Sequence, residues 1–192
     1  KPLDIQFRHV LHLSNNAQVQ NITNMIDRFW VLVQDTEPTM FPDVPKAINQ
    51  LWEAGYTLIV ISGCSPTVVK AKMDKSGISK YFKLMLGTDY SNPVMTKGDG
   101  HFKIIRQELN IDSAQFQTTS ALVGDGDHDM IIAKNAGILA VGRLTDDNSK
   151  NLLKAGADFI IKDLTKLVSL LCNLSANSIS FKPISSLRGH AR

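Results

Sequence analysis

From residue 41 onward, apolar and polar positions switch repeatedly between two periods. Residues 44–54 (VPKAINQLWEA) place apolar side chains at helical spacing and stop at Gly55, a favourable helix terminator. Residues 56–61 (YTLIVI) are a short apolar run rich in β-branched side chains, which predicts a buried strand. The same alternation then recurs. It predicts a helix over 67–76 ending at Gly77, a strand over 82–86 (FKLML), a helix over 101–109 (HFKIIRQEL) and a strand over 121–123 (ALV). A helix over 130–135, a strand over 139–141, a helix over 146–155, a strand over 159–161 and a last helix over 164–174 complete the pattern. Strands alternating with helices of this length predict an α/β fold, a parallel sheet with helices on both faces.

The two ends of the chain behave differently. Residues 18–33 (QVQNITNMIDRFWVLV) predict a long helix carrying Ile22, Met25, Ile26, Phe29 and Trp30. Apolar surface on such a helix has to be covered, which makes it a cap helix or an oligomer contact. Residues 1–16 give no clear element, and residues 175–192 are polar and aperiodic, as expected of a loosely ordered tail. The expected organisation is a helical, cap-like or divergent segment over 1–40, an α/β core over 41–174 and a polar tail over 175–192.

Composition narrows the function classes. The chain has 192 residues, 43% hydrophobic and 20% charged, enough for one sizeable core and a small appendage. Its net charge of +3 is spread out without a Lys/Arg block, so nucleic acid is not an expected partner. No apolar stretch approaches the ~20 residues of a membrane span, so no membrane partner is expected. Cys64 and Cys172 give neither a disulfide framework nor a zinc spacing, which points to a reducing, cytoplasmic setting.

The polar residues gain meaning once placed on this scaffold. In an open parallel sheet, ligands bind beyond the carboxyl ends of the strands. Ser62 and Gly63 follow the strand YTLIVI; Lys97 lies in the loop TKGDGH just before a helix; Asp125, Asp127 and Asp129 follow the strand ALV. Three carboxylates so close in sequence repel one another and call for a cation. Hydroxyl, backbone N–H and ammonium suit a phosphate, whereas carboxylates suit one only through a metal. A phosphate held together with Mg²⁺ reconciles the set, because Mg²⁺ takes one or two carboxylates plus waters and phosphate oxygens. A glycine turn with an Asp N-cap explains part of Gly-Asp-Gly-Asp-His-Asp equally well. His128 has no second His or Cys nearby and is expected to face solvent, and Cys64 has no His placed by sequence to activate it.

In order and spacing these strings resemble the haloacid dehalogenase (HAD) superfamily, and within it the phosphoglycolate-phosphatase-like hydrolases. The resemblance covers roughly residues 41–167. FPDVPKAINQLWEAGYTLIVISG resembles the approach to the family's second motif, whose Ser or Thr would be Ser62; TKGDGHFKII resembles the third, whose lysine would be Lys97, with Lys103 as the fallback. LVGDGDHDMIIAKNAGI resembles the fourth, GDxxxD, supplying Asp125 and Asp129, and AVGR and AGADFIIKDLTKL resemble the usual ending of such domains. The resemblance implies a Rossmann-like domain, Mg²⁺ dependence and hydrolysis of a small phosphorylated metabolite through a phosphoaspartyl intermediate, with Ser62, Gly63 and Lys97 on the phosphate and Asp125 and Asp129 on the metal.

The family's first motif, DxDxT after an apolar strand, is not present intact. The closest string is VLVQDTEPT, which makes Asp35 the nucleophile candidate, with Glu37 and Thr39 in the later positions. LDIQF, with Asp4, is poorer, and the motif lying upstream of Lys1 is the third possibility. The strand bearing that motif is central in the family's sheet, between the strands of the second and fourth motifs. A chain without it leaves a gap between YTLIVI and ALVGD, to be filled from residues 1–40 or by another chain. A continuous helix over 18–34, the expected outcome, makes Asp35 a cap residue and keeps open the alternative function, a non-catalytic or truncated module that binds metal, phosphate or a protein partner.

Overall fold

The computed structural model describes residues 8–10, 12, 19–89, 92, 95–145 and 148–176. The expectations for residues 1–7, including LDIQF, and for 177–192 fall outside the described residues. After α1 (Val19–Asp35) come α2 (Val44–Glu53), β1 (Leu58–Ile61), α3 (Pro66–Lys75) and β2 (Phe82–Leu86). These are followed by α4 (Asp99–Leu109), α5 (Ser113–Thr119), β3 (Ala121–Gly124), α6 (Asp127–Ala136), β4 (Leu139–Arg143), α7 (Ser149–Lys154), β5 (Phe159–Ile161) and α8 (Lys166–Ala176). Every predicted strand forms: two keep their predicted bounds, and the other three are trimmed or extended by one or two residues. Periodicity missed α5, which is too short for a periodic signal. A local device makes it: Asp112 accepts from Gln115 N at 2.8 Å while Gln115 Oε1 accepts from Asp112 N at 3.2 Å, a reciprocal N-terminal cap, and Phe116 anchors the turn in the core.

The strands form two parallel ladders, β1–β2 and β3–β4–β5. The period-2 alternation of strand side chains shows that both ladders share the same two layers. Leu58, Ala121, Val123, Val141 and Ile161 pack on one side against Leu51 of α2 and Leu167 and Leu171 of α8. Ile59, Ile61, Leu84, Leu122 and Ala140 pack on the other against α4, α5 and α6, through Phe102, Ile105, Phe116 and Met130. The result is three layers, helix–sheet–helix, with the middle layer interrupted between β1 and β3. No described strand fills that interruption. Instead, a cavity of about 550 Å³ runs there, lined by the whole of β1 and of β3.

Helix α1 is continuous from Val19 to Asp35, as the periodicity predicts. It lies against α3, where Lys75 Nζ donates to the backbone oxygens of Gln34 (3.5 Å) and Asp35 (3.3 Å), and Lys72 contacts Thr36. Ile22 and Ile26 are buried, while Val31 and Leu32 remain exposed. No helix among the described residues is long and apolar enough to cross a membrane.

Candidate active site

The carboxyl ends of β1, β2 and β3 meet on one rim, tied together by short polar contacts. At the end of β1, Ser62 N donates to Leu86 O at 2.9 Å, and Ser62 O accepts from Thr88 Oγ1 at 2.9 Å. Cys64 N donates to Ser62 Oγ at 3.1 Å, so the hydroxyl oxygen is fixed and its own proton stays available to an acceptor in front of the rim. At the end of β2, the Gly87 carbonyl accepts from His101 Nε2, 2.9 Å away and at the start of α4. The His101 backbone N–H closes the turn onto Thr96 O at 3.0 Å, which holds the short loop carrying Lys97. Gly98, with φ +111°, turns that loop into the helix through backbone geometry that disfavours any other residue.

Lys97 then reaches across to the end of β3. Its Nζ lies 2.5 Å from Asp129 Oδ1, and the Asp129 carboxylate is buried in the first turn of α6. Gly126 N donates to the other carboxylate oxygen, Oδ2, at 3.3 Å. The other glycine of the motif has a separate reason to be there: a Cβ at Gly124 would collide with the Asp129 side chain. The repeated Gly-Asp pattern is therefore a packing solution that lets a carboxylate fold back over its own strand end. Asp125 is exposed on the rim, and its backbone carbonyl accepts from Asn148 Nδ2 at 2.8 Å. Asp127 and His128 are exposed, with Asp127 Oδ1 accepting from His128 N.

His101 is fully buried beside Lys97. Burial pushes its pKa below the ordinary histidine value; the Gly87 hydrogen bond opposes this and the Lys97 charge adds to it. The folded protein therefore favours neutral His101, which contributes fully above the ordinary value of about 6.5. As pH falls through that value, the unfolded chain takes up a proton that the folded chain refuses, so stability declines. Urea unfolding at pH 8 and pH 5.5 should show a wild-type loss on acidification that is smaller in His101→Gln. Equal losses in both proteins would show that His101 does not couple to folding.

The geometry divides the expected site residues into two groups. Ser62, Lys97, Asp125 and Asp129 all sit on the rim, with Lys97 and Asp129 in contact, whereas Lys103 is exposed on α4. Asp35 is not brought to them. It ends α1 with an exposed side chain; its backbone oxygen accepts from Lys75, and the next residue, Thr36, contacts Lys72, both lysines in the last turn of α3. Ser65 caps the other end of that ten-residue helix, so the two ends lie about 15 Å apart. The continuous helix is the physical reason: the apolar run over 29–33 ends a helix rather than a strand, so Asp35 does not emerge at a strand end.

A family profile described as "Haloacid dehalogenase-like hydrolase" matches residues 3–142. The chain belongs to the haloacid dehalogenase-like hydrolases. Among HAD phosphatases, it is 32% identical over 190 residues to the probable phosphatase IndB of Dickeya dadantii (strain 3937), a match covering 94% of this chain and 79% of that protein. It is 28% identical over 161 residues to a phosphoglycolate phosphatase of Vibrio vulnificus (strain CMCP6), covering 83% and 68%. Its fold resembles the crystal structure of a predicted phosphatase from Clostridium acetobutylicum, with a TM-score of 0.73 at 20% identity, covering 90% of this chain and 78% of that one.

On this HAD-like scaffold the sequence pattern left one pair unmarked. Arg143, the last residue of β4, donates from Nη1 and Nη2 to the two carboxylate oxygens of Asp43 at 2.7 and 2.8 Å. Asp43 also accepts from Leu164 N at 2.7 Å, and the guanidinium stacks on Phe41 at 4.1 Å. One signal was available: Arg143 ends an apolar strand on the side where Ser62 and Asp125 leave theirs. Its acid lies 100 residues earlier, ahead of α2, and no spacing rule pairs residues so far apart.

Proposed function

We propose that the rim binds the phosphoryl group of a small phosphorylated metabolite together with Mg²⁺, and that the completed site hydrolyses the phosphoester through a phosphoaspartyl intermediate. The observation that carries this reading is the Lys97–Asp129 contact, which joins the ammonium in front of α4 to the acidic turn after β3. Lys97 and the Ser62 hydroxyl offer donors to phosphoryl oxygens, joined by the backbone at Gly63. Asp125 and Asp129 supply hard oxygen donors, a partial set that fits Mg²⁺ because that ion keeps waters and phosphate oxygens in its remaining positions. When bound, Mg²⁺ neutralises developing charge on the phosphoryl oxygens. The Lys97 ammonium, in contact with Asp129 Oδ1, holds that carboxylate in place.

In the reaction a carboxylate oxygen attacks phosphorus, the P–O bond to the alcohol breaks, and the alcohol leaves after taking a proton. Water then cleaves the acyl phosphate to inorganic phosphate and the regenerated carboxylate. The division into a helical cap over 1–40 and a catalytic core over 41–174 belongs to this reading, as does a cytoplasmic setting. It is supported by α1 lying against α3 and by Cys64 and Cys172 being free of a disulfide. The placement of Asp35 favours a second reading, a module that binds phosphate and metal without catalysis by its own described residues.

Calorimetric binding of inorganic phosphate in the presence of Mg²⁺, compared between wild type and Lys97→Met, tests the shared part of both readings. Phosphate binding by the wild type that is weakened in the variant is expected. No binding by the wild type, or binding unaffected by the substitution, would remove the site.

A further inference from the structure

His101, in the first turn of α4, is 0% exposed, the deepest of the ionisable side chains among the described residues. A leucine would fill a space of that size without the penalty of burying a polar ring, which is tolerated only when hydrogen-bonded. The ring directs one nitrogen at the Gly87 carbonyl, 2.9 Å away. A carbonyl only accepts, so Nε2 carries the proton, and Nδ1 has no partner among the described residues. The hydrogen bonding of the ring is therefore given entirely to Gly87. That residue joins β2 to the Ser62 loop. A Cβ on Gly87 would stand 2.4 Å from Pro66 N and 2.6 Å from Ser65 C, so its backbone lies directly on the start of α3. The next residue, Thr88, bonds the same loop twice, from N to Cys64 O at 2.8 Å and from Oγ1 to Ser62 O at 2.9 Å.

On its other side His101 belongs to the Lys97 loop. Its backbone N–H donates to Thr96 O at 3.0 Å, and the Phe102 N–H donates to Gly98 O at 2.9 Å, so the residues on both sides of Lys97 are bonded to the first turn of α4. One imidazole thus joins two loops that lie far apart in sequence and carry the Ser62 hydroxyl and the Lys97 ammonium. We propose that His101 is a positioning residue of the phosphate site: its Nε2–Gly87 bond sets the Ser62 and Lys97 loops at the separation at which hydroxyl and ammonium reach one phosphoryl group. This role rests on the phosphate reading of the rim. His101 is fully buried and acts through those two residues, not on the substrate. A buried polar bond of this kind fixes one arrangement of the groups around it, which an apolar filler cannot do. If the ring only filled space, leucine in its place would leave the phosphate affinity of the rim unchanged.

The test is calorimetry with inorganic phosphate and Mg²⁺ on His101→Leu, His101→Gln and His101→Asn beside the wild type. Glutamine carries an amide N–H to the place of Nε2. Asparagine stops at the place of Nδ1, and leucine has no donor. His101→Leu and His101→Asn should weaken phosphate binding about tenfold, the size of one lost hydrogen bond, and His101→Gln should stay within about twofold. In a Lys97→Met background the leucine substitution should cost clearly less, because one of the two groups it positions is gone. A second measurement needs no phosphate. The coupling of Lys97 to Asp129, read by urea unfolding of Lys97→Met, Asp129→Asn and the double variant, should shrink beside His101→Leu and persist beside His101→Gln. Equal phosphate affinity in all four proteins would overturn the proposal. So would a loss in the glutamine variant as large as in the leucine one, or the same loss from leucine with and without Lys97. No phosphate binding by the wild type would overturn the phosphate reading itself. An unchanged Lys97–Asp129 coupling in a protein that binds phosphate would overturn the role of His101 alone, so the two failures are distinguishable.

Discussion

The Asp43→Ala variant is expected to unfold about 3–5 kcal/mol more readily than the wild type, the usual cost of leaving one member of a buried ion pair alone. Arg143 is 8% exposed, its Nε has no hydrogen-bond partner, and its two terminal nitrogens both depend on Asp43. Truncating Asp43 strands that guanidinium over Phe41 and also orphans the Leu164 N–H, so two separate parts of the core rim lose their tie at once. Urea denaturation measures the loss, and a cost below about 1 kcal/mol would place the pair with ordinary surface bridges. The double variant Asp43→Leu with Arg143→Met, which removes both charges, should recover most of the stability. The pH dependence has a definite sign. The Arg143 guanidinium holds the Asp43 carboxyl well below its ordinary value of 3.8. The contribution is therefore complete above that value and is lost as pH falls from there through the lowered one. Wild type and variant should converge only in strongly acidic solution.

Lys97→Met should weaken Mg²⁺-dependent binding of phosphate about 10- to 100-fold, the range of one charge-assisted hydrogen bond. Methionine preserves length and apolar stem but removes the ammonium, the cation that the described residues place against Asp129. The variant also leaves the buried Asp129 carboxylate without its counter-charge, so a fall in folding stability should accompany the loss of affinity. Lys103→Met is the control. That side chain is exposed on α4, and its removal should leave phosphate affinity within about twofold, as for surface substitutions generally. Comparable losses from the two lysine variants would mean that phosphate responds to overall positive charge rather than to the rim.

How much of this was legible in the sequence depends on the range over which each cause acts. β1 through β5 were readable because a strand buried on both faces writes its own apolar run, as YTLIVI and ALV do. The acidic turn was readable because glycine and aspartate at fixed offsets answer to local geometry: Gly124 leaves room for Asp129, and Gly126 donates to it. Helix α5 was not readable, since seven residues hold barely two turns and its cause is a cap at Asp112 rather than a stripe. The Asp43–Arg143 pair was hidden by sequence distance. FWVLVQD is the instructive case. Its five apolar residues suit a buried strand as well as a helix end, and only packing distinguishes them: the buried Ile22 and Ile26, two turns and one turn earlier, commit the segment to α1. That choice separates Asp35 from the rim, and no described strand stands between β1 and β3.

Titration of Mg²⁺ into the protein at fixed inorganic phosphate, wild type beside Asp125→Asn, tests the rim most directly. The substitution keeps size and hydrogen-bonding shape while removing one formal charge from an exposed carboxylate whose backbone is already held by Asn148. Magnesium binding that is present in the wild type and lost in Asp125→Asn is the predicted result. An unchanged isotherm in the variant would contradict the assignment of a metal-assisted phosphate site to the carboxyl ends of β1, β2 and β3.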